Sequence, residues 1–124
     1  MMIMEVNGTA IQIKLEKNRS SDAIKEMLRQ GSITLSMKEY AHMEKFGELG
    51  SNLPRNDKQI TTKSGDVILS EGNLLVIYYE PNTWNFTKLG RVVNLTEKEL
   101  KKVLGKGNIT ATIALNEKNK EKIK

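Results

Sequence analysis

Two glycine-containing turns, Asn7-Gly8 and Glu71-Gly72, each stand between two short apolar runs, and this layout leaves few folds open. Asn-Gly tolerates positive φ at both central positions, so it joins Met2–Val6 and Thr9–Leu15 as a tight antiparallel hairpin. In the second run Ile11, Ile13 and Leu15 alternate with Gln12 and Lys14, as a strand with one buried face requires. Glu71-Gly72 likewise links Val67–Leu69 to Leu74–Tyr79, an almost continuous apolar stretch that implies burial on both faces. Further strands are expected at Ile33–Met37, Phe86–Val93 and Ile109–Leu115. The segments 38–65 and 81–85 read as loops, the first unusually long. Seven or eight short strands joined mostly by hairpins, without strand–helix–strand alternation, point to a mainly β, closed barrel with no unpaired edge. Ile11, Ile13, Ile33, Leu35, Leu75, Ile77, Ile109 and Ile113 are its expected interior.

Two short helices punctuate the strands. Asn18-Arg19-Ser20-Ser21 supplies capping groups for a helix over about Asp22–Gln30, with Ala23, Ile24, Met27 and Leu28 on one face and Gly31 after its end. Thr96-Glu97-Lys98-Glu99 is a capping box, with Leu95 and Leu100 in the staple positions around it. Leu100, Val103 and Leu104 form the apolar stripe of this second helix, and Gly105 closes it.

At 124 residues the chain suits one domain, expected over 1–115, followed by a lysine-rich, disordered tail over 116–124. The tail carries two of the five net positive charges. The remaining lysines interleave with acids and only four arginines are present, so no nucleic-acid partner is expected. Without cysteine the chain builds neither a disulfide framework nor a thiolate site. No apolar run reaches the roughly 20 residues of a membrane span, so the expectation is a soluble, cytoplasmic protein with no membrane partner, extracytoplasmic only if a leader has been removed. A monomer is favoured.

Residues with chemical potential are few. His42 is the sole histidine and lies between Glu39 and Glu44, which reads as a solvated loop and not a metal site. Gly105-Lys106-Gly107 follows a helix instead of a strand, so helix capping explains it better than phosphate binding. Five Asn-x-Ser/Thr triplets read as turn chemistry. No metal or cofactor is expected. The aromatics are more informative. Tyr78 and Tyr79 must point to opposite faces of their strand. Trp84, set among polar residues, is the natural wall of an apolar groove, together with Phe86, Tyr79 and Tyr40.

The order Ile33–Met37, Leu53-Pro54, Gly65-Asp66-Val67, Asn73–Tyr79 and Leu89-Gly90-Arg91-Val92 resembles the bacterial cyclophilin-like domain family over nearly the whole chain to Leu115. The resemblance implies an eight-stranded barrel capped by two helices, with Trp84 in the position of the tryptophan of the cyclophilin proline groove. True cyclophilins polarise the prolyl amide with an arginine, and 38–49 here contains none. By family position the remaining catalytic candidates are Arg91 and Lys45. The resemblance therefore implies a domain that binds a peptide or small ligand in an apolar groove, with isomerase activity weak or absent. The alternatives are a peptidyl-prolyl cis-trans isomerase with a non-standard site and a structural or interaction domain.

Overall fold

The computed structural model describes residues 1–116. The strands are β1 (Met2–Val6), β2 (Thr9–Leu15), β3 (Ile33–Tyr40), β4 (Glu44–Glu48), β5 (Lys58–Thr61), β6 (Asp66–Ser70), β7 (Leu74–Tyr78), β8 (Thr83–Val92) and β9 (Ile109–Leu115). Two helices, α1 (Arg19–Arg29) and α2 (Glu97–Leu104), complete the order. Asn7 and Gly8 adopt φ of 50° and 80°, the double left-handed turn that the β1–β2 hairpin needs.

Antiparallel pairing runs in the order β2-β1-β9-β3-β4-β7-β6-β8, and β8 pairs back onto β2, closing an eight-stranded barrel. β5 lies outside the ring and pairs with the first half of β8. Inside, Met2, Met4, Ile11, Ile13, Leu69, Leu75, Ile77, Leu89 and Ile113 belong to one fully buried cluster. Burying each such side chain stabilises the fold by roughly 1.5–3 kcal/mol. Of the expected interior, Ile33 and Ile109 are only partly buried and pack at the margin of this cluster.

The helices bring Ile24 and Leu28 from α1, and Leu100 and Leu104 from α2, into the same core. α1 is tied to the barrel at its N-terminus, where the buried Ser21 hydroxyl donates to the Leu89 carbonyl at 2.9 Å. The Ser20 hydroxyl donates to the Pro54 carbonyl. In α2 both halves of the capping box form: Glu99 N–H donates to Thr96 Oγ1 at 3.1 Å, and Thr96 N–H donates to Glu99 Oε1 at 2.8 Å.

Four expectations need correction. The stretch 38–65 is not one long loop, because it holds the end of β3 and all of β4 and β5. β8 begins at Thr83, so Trp84 sits on a strand and not in a loop. α1 begins at Arg19, capped by the Asn18 side chain accepting from Ser21 N–H at 2.8 Å. The strand count is nine, of which eight close the barrel. The expected tail lies outside the described residues from 117 onward.

Candidate functional site

The alternation of a strand assigns every residue of the β3-β4-β7-β6 wall to one of two faces. Pairing puts Tyr40, Glu44 and Tyr78 in one row across β3, β4 and β7. Phe46, Val76 and Ile68 form the next row, and Leu74 and Ser70 the one after. All of these point outward, away from the barrel interior. Ile68, Val76, Tyr78 and Phe86 make a second buried cluster on this outer face, with Met43, Phe46, Ile60 and Leu74 packed around it. The Tyr78 and Phe86 rings meet at a centroid distance of 5.6 Å, tilted by 55°.

Tyr78 and Phe86 from this cluster, with Met43, Phe46 and Leu74 beside them, line an open groove of about 540 Å³. Two aromatic side chains stand at its rim, Tyr40 at 59% exposed and Trp84 at 67%. Trp84 and Phe86 share a face of β8, two residues apart, which is why both reach the groove. The register sets Trp84 opposite Ile60, so the extra strand β5 braces the projecting half of β8 that carries the indole.

The polar groups in the groove are placed as deliberately as the rings. Glu44 is only 8% exposed, and burial pushes its carboxyl above the usual range, with a hydrogen bond to Tyr78 opposing part of the rise. Asn82 Nδ2 donates to the Tyr78 hydroxyl oxygen at 3.1 Å, which leaves the hydroxyl proton for Glu44. Burial, and then the neighbouring Glu44 charge, push the Tyr78 hydroxyl well above its ordinary 10. Among the described residues no lysine, arginine or histidine lines the groove.

The other sequence candidates lie elsewhere. Tyr79 faces the barrel interior, so it does not wall the groove with Trp84. Its hydroxyl donates to Glu39 Oε1 at 2.9 Å and approaches the Glu44 carbonyl oxygen at 3.2 Å. Lys45 points inward as well, fully buried, with its ammonium donating to Glu39 Oε1 at 3.1 Å and to the Gly107 carbonyl. It sits 5.8 Å from the Tyr79 ring centroid. The Tyr79 hydroxyl first, and then Lys45, hold the Glu39 carboxyl below its usual range. Arg91 is seven residues along β8 from Trp84 and pairs with Asp66 at 3.0 Å. Neither cation reaches the groove.

His42 caps the β3–β4 turn on the surface, 3.2 Å from Glu39. Glu39 and Glu44, the two carboxylates that flank it in sequence, project to opposite faces of the wall. Among the described residues no group of three acidic or histidine side chains is placed to hold a metal ion. No helix among them is long and apolar enough to cross a membrane. Glu44, Tyr78 and Asn82 were not among the sequence candidates. The alternation Glu44-Lys45-Phe46 would have exposed Glu44 only if 44–48 had been recognised as a strand.

A closed eight-stranded antiparallel barrel with two helices and an aromatic groove on its outer wall defines a cyclophilin-type architecture. The chain belongs to the cyclophilin-like family, whose model matches residues 4–114. Among solved structures, the fold is similar to that of McbB in complex with tryptophan, with a TM-score of 0.66 at 16% identity. The similarity covers 92% of this chain but 44% of the McbB chain, so this chain spans less than half of that protein's length. No curated protein matches the sequence.

Proposed function

We propose that this domain binds a peptide or small ligand in the groove between Tyr40 and Trp84, with prolyl isomerase activity weak or absent. The observation that carries this reading is the groove itself. Its floor is largely apolar, two large aromatic side chains stand exposed at its rim, and the linked polar groups Glu44, Tyr78 and Asn82 gather at one end. Exposed aromatics that flank one apolar concavity mark a surface suited to a ligand, and a concavity of about 540 Å³ falls within the range of small-molecule sites.

The weak-isomerase part of the proposal follows from the electrostatics. Rotation about a prolyl amide faces a barrier of roughly 18–20 kcal/mol. It is lowered by a donor aimed at the amide nitrogen as resonance is lost. Of the side-chain donors at the groove, the Asn82 amide and the Tyr78 hydroxyl are engaged with Tyr78 and Glu44, and those of Tyr40, Ser70 and Trp84 are neutral groups, not the charged donor of an arginine. Arg91 is held by Asp66, and Lys45 is enclosed with Glu39.

The test uses the single tryptophan as reporter. Trp84 emission is followed while proline-containing peptides and indole compounds are titrated in, and cis–trans exchange of the same peptides is measured by NMR. A saturable change in emission with exchange rates near those of the free peptide is the expected pair of results. Exchange accelerated to enzymatic rates would instead establish an isomerase with an unusual donor. No change in emission with any probe would refute the groove as a binding site.

A further inference from the structure

Within that groove the charge distribution is one-sided. Glu44 is nine-tenths buried at the floor and Glu71 stands at the rim, while among the described residues no cation lines the groove, the nearest free one, Lys58, lying in the adjoining concavity beside Glu71. Lys45 is on the inner side of the same strand, bound to Glu39 and the Gly107 carbonyl, and His42 is turned to Glu39. A carboxylate buried against apolar side chains is costly unless a charge partner meets it. Among the described residues, the side-chain hydrogen bond that Glu44 receives comes from the neutral Tyr78 hydroxyl. Around it stand the faces and edges of Tyr40, Phe46, Phe86 and Trp84, which attract a cation as well as an apolar body.

We propose that the natural occupant of the groove is a small molecule carrying a protonated amine on an aromatic or alkyl body, with the Glu44 carboxylate as its counter-ion. The inference rests on the groove being a binding site, and it names the chemistry of what binds there. An ammonium group placed beside Tyr78 meets Glu44 and leaves the ligand's apolar body between Tyr40 and Trp84. A carboxylate-bearing ligand in the same pose would set two negative charges together in a poorly hydrated place. The occupant is a free small molecule because the concavity holds one buried charge and a volume of small-ligand size.

The experiment compares three probes that share one body, namely tryptamine, 3-ethylindole and indole-3-propionate. Each is titrated calorimetrically into the full chain at pH 8 and again at pH 5. A charged hydrogen bond predicts tryptamine binding at least about ten-fold tighter than 3-ethylindole at pH 8, with indole-3-propionate weakest. Glu44→Gln should remove the preference for the amine and leave 3-ethylindole affinity in place. In the wild type the preference should shrink as pH is lowered from 8 toward 5, because burial raises the Glu44 carboxyl and so favours its protonation while tryptamine keeps its charge. The titratable groups around Glu44 are Tyr78 on β7, Tyr40 on β3 and Glu71 in the β6–β7 turn, with Glu39, Lys45 and Tyr79 behind the strand and His42 in the β3–β4 turn, paired with Glu39. The Glu44→Gln titration isolates the Glu44 contribution to the pH dependence from that of the other groups.

Equal binding of all three probes, or strongest binding of the propionate, overturns the amine assignment while the groove reading stands. Binding of a short lysine-containing peptide more tightly than tryptamine overturns the small-molecule assignment. Failure of every probe to bind or to move Trp84 emission removes both readings together. If Glu44→Gln does not fold, the ranking of the three probes on the wild type at pH 8 decides the question.

Discussion

Replacing Gly90 with alanine should open the barrel at its closing seam. Gly90 pairs with Leu15 where β8 meets β2, and a Cβ there would lie 2.4 Å from the Lys14 carbonyl oxygen. It would also lie 3.0 Å from Ile13 Cγ2 and 3.1 Å from Leu15 Cα. Two of these three are backbone atoms and cannot swing aside. Ordinary contact begins at 3.4 Å, so β2 must retreat by about 1 Å. Overpacking of this kind costs roughly 1–3 kcal/mol. The retreat also stretches the hydrogen bonds of the pairs Ile13–Val92, Lys14–Arg91 and Leu15–Gly90, at about 0.5–1.5 kcal/mol for each bond lost. The expected total is about 3–5 kcal/mol, a fall of about 2 M in the urea midpoint for a domain of this size. Far-UV circular dichroism is the suitable signal, because the exposed Trp84 reports the fold poorly. Gly47→Ala is the comparison, since its nearest neighbour is the flexible Met37 side chain at 3.1 Å and its nearest backbone atom, Ser36 O, is 3.2 Å away. It should lose clearly less. A loss below about 1 kcal/mol for Gly90→Ala, or equal losses for both variants, would refute the seam argument.

Leu35→Ala and Ile113→Ala, both in the barrel core, should each cost about 2–5 kcal/mol in denaturant melts, and values below roughly 1 kcal/mol at both would contradict the interior assignment. Thr96→Ala removes the capping oxygen of α2 and should lower stability by about 0.5–2 kcal/mol, so an unchanged melting midpoint would mean that the capping box contributes nothing. Glu39 and Glu44 should show opposite pH signatures. The folded value of Glu44 is raised, so its favourable contribution is complete below the ordinary 4.5 and is lost as pH climbs through the folded value. Glu44→Gln should therefore stabilise the protein at neutral pH, by a margin that vanishes in acid. The folded value of Glu39 is lowered, so its contribution is present above 4.5 and is lost as pH falls through the folded value. Glu39→Gln should destabilise at neutral pH, and melts that move the same way for both variants would show that the two carboxyls are not in the environments described.

The hairpins, both helices and the barrel class were legible because apolar alternation and turn residues report them directly. β4 was not, for a physical reason. Its inward positions are Lys45 and Gly47, a lysine neutralised by Glu39 and a glycine packed against Leu35 and Met37, so the strand shows no apolar inner face. β5, Lys58-Gln59-Ile60-Thr61, lies outside the barrel and buries only part of Ile60, which removes the alternation signal there too. Recognising Trp84 and Phe86 together needed no more than their spacing. Placing Tyr40 with them depended on the β3–β4 pairing, and assigning Tyr79 to the opposite face depended on knowing which face of β7 meets the core. Glu44 became visible only with β4 in place.

The central claim, that ligands sit on the outer wall between Tyr40 and Trp84, is tested most directly by intermolecular NOEs to bound tryptamine. The account predicts contacts from the ligand to the methyl groups of Ala41, Met43 and Leu74 and to the Trp84 indole, all of which line the groove. Contacts instead to Val92 and Leu95, in the separate concavity beside Arg91, would contradict it.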